Sequence, residues 1–262
     1  MSISYATLRR RCMSGALALI ASAPLALAAQ GPAEHIALGD KEHAALNAPG
    51  ALHHYEAAVA ADPRSFEGLW KTTREAVDVG EYNGDEKERD RLFSEAEQYA
   101  RRAVEVNPGD AEGHFQLARA LGRKALSLGK RDQVRYAGDV RTAALDALRI
   151  NPKAAGALHV MGMWNYNVMQ LSGFTRMFAK TFLGGKVFGA ANWEDAQRYM
   201  EESVAAEPGR LVHHLDLARV YAARDMKDKA REQYEICLRM PATEYNDRHY
   251  KEEATKEIED VR

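Results

Sequence analysis

Few residues of this chain could do chemistry, and their spacing argues against most of it. Two adjacent histidine pairs, His53-His54 and His213-His214, fall in stretches of helical periodicity. Neighbours on a helix point about 100° apart and cannot share one metal as an i, i+4 pair can. Both pairs are therefore read as packed or solvated helix positions, and no metal or cofactor is expected. Gly184-Gly185-Lys186 has two glycines and a lysine of a phosphate loop, without the first glycine, the Ser or Thr after lysine, or a preceding strand. Cys237 would need a histidine and a third group around it to act as a nucleophile, and nothing in the sequence arranges either. Catalysis is not expected, which leaves binding.

The elements that position these residues are helices, because no segment alternates apolar and polar residues with the period of a strand. Four dipeptides punctuate the chain: Asp62-Pro63, Asn107-Pro108, Asn151-Pro152 and Glu207-Pro208. Counting forward from each proline, small or packing residues recur at +6, +9, +10 and +13. They are Leu69, Thr72, Thr73 and Ala76; His114, Leu117, Ala118 and Leu121; Leu158, Met161, Gly162 and Asn165; His214, Leu217, Ala218 and Tyr221. Offsets of three, one and three lie on one helical face. Counting backward marks a second helix by Ala51, Tyr55 and Ala58; Ala96, Ala100 and Ala103; Val140, Ala144 and Ala147; Ala196, Met200 and Ser203.

Small residues where two antiparallel helices cross, larger ones beside them, and a proline that stops the second helix make a repeating hairpin of helices. The pattern resembles the tetratricopeptide repeat, most fully at His214, Leu217, Ala218, Tyr221, Ala230, Tyr234, Cys237 and Pro241, where the proline comes one residue early. The fold class expected is all-α: a tetratricopeptide-like solenoid, a right-handed superhelix of four to five antiparallel helix pairs.

Proline spacings of 45, 44, 56 and 33 against about 34 for an undecorated repeat call for three inserts. Gly80 to Arg91 and Ser127 to Gly138 read as helix extensions in solvent. The third, at about 168–193, carries Phe174, Phe178 and Phe182 four apart, with Arg176 and Lys180. Its apolar stripe has two readings: it folds back into the solenoid groove, or it lies on a membrane surface. The first is preferred, since one short helix with few cations binds membranes weakly.

A solenoid gathers ligand contacts on its concave lining. First-helix positions +7, +11 and +14 lie one residue beyond the core set. They read Trp70, Arg74 and Val77; Phe115, Arg119 and Gly122; His159, Met163 and Tyr166; Leu215, Arg219 and Ala222. Trp70, Arg74, Phe115, Arg119, His159, Met163, Tyr166 and Arg219 are the candidate partner-binding residues. Arginines beside aromatic rings suit an acidic or carboxylate-ended peptide, because the guanidinium fork matches a carboxylate. The alternative is that these arginines pair with Glu or Asp on neighbouring helices.

At the N-terminus, Arg9, Arg10 and Arg11 precede an uncharged apolar run from Met13 to Leu27 that ends in Ala26-Leu27-Ala28. That order is a secretory signal over residues 1–28, with cleavage before Ala29 or Gln30. The expected location is the periplasm or the exterior; mitochondrial import or anchoring by an uncleaved signal are the alternatives. Without these residues the chain carries 33 basic and 38 acidic side chains, which disfavours nucleic acid as a partner. Cys237 is then the sole cysteine, so no internal disulfide forms. The solenoid is placed at 29–245, followed by a capping helix at 246–262 with an apolar line of Tyr250, Ala254, Ile258 and Val261.

From about Leu52 onward the chain resembles the regulator of microtubule dynamics family. The residues that carry the resemblance are Leu69-Trp70-Lys71; Glu95-Ala96-Glu97-Gln98-Tyr99-Ala100-Arg101-Arg102-Ala103; Leu158-His159-Val160-Met161-Gly162-Met163-Trp164; the insert with Arg176, Ala179, Lys180 and Phe182-Leu183; Trp193-Glu194-Asp195-Ala196; and Pro241-Ala242. The resemblance implies an interaction scaffold with no established catalytic residues. The function expected is a non-catalytic module holding a peptide or protein in its groove, with a small-molecule or lipid carrier using the insert-covered cavity as the alternative.

Overall fold

The computed structural model describes residues 31–172 and 186–261. Segment 1–28, Gly184-Gly185 and the stripe of Phe174, Phe178 and Phe182 lie outside the described residues. Eleven α-helices and no strand are found among the described residues. They are α1 (Pro32–Ala44), α2 (Ala48–Ala61), α3 (Phe66–Glu81), α4 (Glu86–Val106), α5 (Ala111–Leu126), α6 (Lys130–Ile150), α7 (Ala155–Gln170), α8 (Trp193–Ala206), α9 (Leu211–Ala223), α10 (Lys227–Arg239) and α11 (Asp247–Glu257), with short 3-10 turns at Lys186–Ala190 and Ile258–Val261. Successive helices pack in five pairs, from α1 with α2 to α9 with α10, and each pair stacks on the next. No described helix is long and apolar enough to cross a membrane.

Each proline acts locally as its chemistry requires. Asp62, Asn107, Asn151 and Glu207 all sit at φ between −131° and −140° with ψ of 74° to 97°, because the following ring excludes the α conformation. Their backbone N–H groups still donate to the fourth residue back, at 2.8–3.0 Å, so each helix closes its last turn before the chain reverses.

All the second-helix markers are buried, and among the first-helix markers only Leu117 is partly exposed. Crossings are tight where glycine sits: a β-carbon on Gly162 would run into Met200 Sδ and lie 3.3 Å from the Met200 backbone nitrogen. Two of the expected packing positions are polar in kind. His114 and His214 each donate Nε2–H to the carbonyl of the proline that opens their own repeat, Pro108 and Pro208, at 2.9 Å. The histidine thus ties the turn to the helix that follows it, where Leu69 and Leu158 only pack.

The first two inserts lengthen helices, with α4 and α6 reaching 21 residues each. They are not purely solvated extensions, however. Leu92 and Phe93 are 1% and 4% exposed, and the Phe93 ring covers Gly80. Within the third insert, Phe188 is buried in one cluster with Trp164 and Val168.

Tyr250, Ala254, Ile258 and Val261 are buried on α9 and α10. Yet α11 does more than cover the end of the stack. Asn246 Nδ2 donates to the Asp78 carbonyl and Tyr250 Oη to Glu81, both at 2.9 Å. Tyr82 Oη donates to Glu253 at 2.9 Å and its ring stacks on His249 at 4.3 Å. The last helix therefore reaches the end of α3, and the concave face becomes a groove walled by α3, α5, α7, α9 and α11.

Candidate functional site

A spacing of four places +7 and +11 on the same face of each first helix, and the stack lines those faces up. All eight candidate residues, Trp70, Arg74, Phe115, Arg119, His159, Met163, Tyr166 and Arg219, line a single groove of about 1570 Å³. Gly122 lines it as well, with open space where a side chain would begin. Val77, Leu215 and Ala222 do not, and the first two are fully buried in the core.

Within the groove, every expected arginine already holds a carboxylate. Arg74 Nε donates to Glu75 at 2.7 Å, and Glu75 also receives His43 Nδ1 at 2.9 Å. Arg119 pairs with Asp78, and Arg123 one turn on with Glu81. Arg219 spans three acids: Asp216 at 2.8 Å, Glu257 through Nε at 2.9 Å and Glu253 at 2.6 Å. Burial disfavours its charge, but these carboxylates outweigh that and raise its pKa further. Each of the three thus has an internal carboxylate partner, as the alternative reading of the row expects. Asp216 stands three before Arg219, so that pair is readable from sequence, whereas Asp78 stands four after Arg74 and pairs instead with Arg119 of the next repeat. The partners from α11 lie outside the repeat register and give no such signal.

The aromatic candidates are partly engaged too. The Phe115 ring occupies the place where a β-carbon of Gly156 would be, so it seals the joint between α5 and α7. Trp70 carries the Arg74 guanidinium over its ring at 5.3 Å. His159 donates Nε2–H to Asp216 at 2.7 Å and stacks on His213 at 4.8 Å, linking α7 to α9. Burial, together with the charges of His159 and Arg210, drives the His213 pKa well below 6.5. In Asp216 burial acts upward, but the His159 hydrogen bond and the Arg219 charge prevail and hold the carboxyl below its usual range.

His213, His214 and Cys237 hold structural positions. His213 Nδ1 bonds Ser203 at 3.0 Å, and His214 holds Pro208 and Gln233. Cys237 is fully buried, and burial pushes its thiol up to about 12. Among the described residues no group of His, Cys, Asp and Glu could hold a metal ion.

Five antiparallel helix pairs in this register define a tetratricopeptide-type α-solenoid. A thermophilic tetratricopeptide repeat protein of Thermus thermophilus shares that fold with a TM-score of 0.62 and 19% identity, over 86% of this chain and 99% of that one. Residues 35–262 match the family described as Regulator of microtubule dynamics protein 1-3, and the chain belongs to that family. It is 28% identical over 148 residues to the Bos taurus Regulator of microtubule dynamics protein 1, covering 56% of this chain and 46% of that protein. To the Homo sapiens protein of that name it is 27% identical over 147 residues, again covering 56% and 46%. The chain spans about half the length of the curated relatives it matches.

Proposed function

We propose that this protein is a non-catalytic scaffold that seats an extended segment of a partner protein in the groove between α3, α5, α7, α9 and α11. The observation that carries this is the convergence of the +11 position of all four repeats, and the +7 position of the first three, on one continuous groove. Its volume, about 1570 Å³, exceeds the roughly 300–1,000 Å³ of small-molecule pockets. Solenoids offer continuous concave surfaces of this kind to extended partners. A carboxylate-ended partner is the finer reading of the arginine row, and it requires a ligand able to displace Asp78 from Arg119, or Asp216, Glu253 and Glu257 from Arg219.

One observation favours a second reading, the small-molecule or lipid carrier. Near the third insert the lining turns apolar, with Val134, Ala137, Val140, Trp164, Leu171 and Phe188 together. Native mass spectrometry of purified protein distinguishes the two, since a carrier retains its ligand and a peptide scaffold does not.

Export is part of the proposal and is supported by the order of arginines, apolar run and small residues in 1–28. The microtubule role in the relatives' name belongs to those proteins. Mature protein should begin at Ala29 or Gln30, and N-terminal sequencing that finds Met13 to Leu27 retained ends the soluble-export reading.

Gly122→Trp tests the groove. Nothing stands within 4 Å of a β-carbon there, so the indole fills the groove without disturbing α5. Capture of a binding protein from the native compartment should fail with this variant while the thermal melt is unchanged. Undiminished capture would place the partner elsewhere.

A further inference from the structure

Two amide oxygens in the groove wall have no partner among the described residues: Gln116 Oε1 and Asn246 Oδ1. Each belongs to a side chain only 2% exposed. Their orientation is fixed by the other end of each amide, since Gln116 Nε2 donates to Glu112 at 2.8 Å and Asn246 Nδ2 to the Asp78 carbonyl. Neither the Glu112 carboxylate nor the Asp78 carbonyl can donate, so flipping either amide would lose a bond and gain none. A buried polar atom without a partner is costly, and these two lack donors.

Charge points the same way. Among the described residues the groove is lined by ten carboxylates against five arginines, with no lysine. All five arginines are paired within the wall, Arg210 with Glu244 among them. Three carboxylates share Arg219. Asp110 and Asp247 accept only backbone N–H groups in the bonds they make, and Glu207 is exposed at the C-cap of α8. The wall's arginines are paired and its carboxylates are in surplus.

We infer that the groove takes a lysine- or arginine-rich extended segment of a partner protein, its cationic heads meeting the surplus carboxylates and its aliphatic stems lying on Trp70, Phe66 and Phe115. This rests on the groove reading above and reverses the ligand charge that the arginine row alone suggests. Long cationic side chains suit such a wall because their stems cover apolar surface while the heads donate, and hydrogen bonds to charged groups are the stronger ones. A compact cation would meet the charge and leave the rings bare.

The test uses a short fluorescent peptide alternating Lys with Ala and Leu, and its twin with Glu in place of Lys, titrated against the full chain. The Lys peptide should bind, be excluded by Gly122→Trp, and weaken at least tenfold as salt rises from about 0.05 to about 0.5 M. The double variant Asp110→Asn, Glu207→Gln should weaken it about tenfold; Asn keeps the cap on α5 and Glu207 is exposed, so the fold is retained. Equal or tighter binding of the Glu twin, or binding of neither peptide, overturns the inference. In both cases the groove reading stands or falls separately, on whether Gly122→Trp abolishes capture of the native partner.

Discussion

Tyr250 in the last helix donates its hydroxyl to Glu81 at the end of α3 at 2.9 Å, across 169 residues of sequence. In an open solenoid each repeat touches only its neighbours, and the ends fray independently. Here Tyr250, Asn246 and the Tyr82–Glu253 bond tie the second helix pair to the chain's end. Tyr250→Phe should lower stability by about 1.5 kcal/mol, the worth of a hydrogen bond to a charged group. It should also raise hydrogen exchange at the C-terminal turn of α3. Unchanged exchange there would mean that the contact adds no cooperativity between the ends.

Packing at the helix crossings makes a second, sharper expectation. Gly162→Leu drives a side chain into Met200, whose backbone nitrogen at 3.3 Å cannot move aside as its thioether can. Thermal melts should show a loss near the top of the roughly 1–3 kcal/mol typical of overpacking. Ala218→Leu, at the equivalent fully buried crossing, should behave alike. Gly122→Trp, with open space before it, should not, and equal effects at all three positions would refute the repeat register.

Much of the architecture is legible in the sequence because its cause is local. A proline after Asp62, Asn107, Asn151 or Glu207 sets the backbone of the preceding residue by sterics alone, and the packing markers follow from helical period. The +7 and +11 positions can be placed on the groove for the same reason. What those side chains do is not legible, since it depends on acids that arrive from other elements. Arg219 meets Glu253 and Glu257 only because α11 returns across the groove, and no periodic pattern encodes that return. Leu92 and Phe93 sit just past a stretch that reads as solvated, because its charged residues hide a buried extension of the α3–α4 pair.

The arginines give a third prediction. Arg119→Ala leaves Asp78, 9% exposed in its side chain, without its cation, and Arg219→Ala leaves Asp216 and two glutamates together. Breaking a buried pair from one side costs about 3–5 kcal/mol; partial exposure of both guanidiniums reduces this to about 2 kcal/mol. Affinity for a captured partner, measured per folded molecule, should not fall. A loss of affinity with an unchanged melting temperature would instead make these arginines ligand contacts.

The stacked pair His159 and His213 sets a pH dependence whose sign follows from two shifts. Burial lowers the His213 pKa, so below about 6.5 the unfolded chain binds a proton that the folded one resists. Stability rises with pH wherever the unfolded state binds more protons, so this contribution is complete above about 6.5 and is lost as pH falls from there. Asp216 acts lower on the scale. Despite burial, the His159 bond and Arg219 keep its pKa below the ordinary carboxylate value, so its contribution is present above about 4 and declines as pH falls further. The groups facing His213 from the elements around it are His159 on α7, Arg210 before α9, and Asp216 and His214 on α9 itself, and burial, the largest cause, extends the first decline to lower pH. Melting temperature should therefore drop between about pH 7 and pH 5, and again below about pH 4. His213→Gln should flatten the first drop and leave the second. Asp216→Asn should do the opposite, and a first drop as steep in His213→Gln as in the natural chain would exclude His213 as its source.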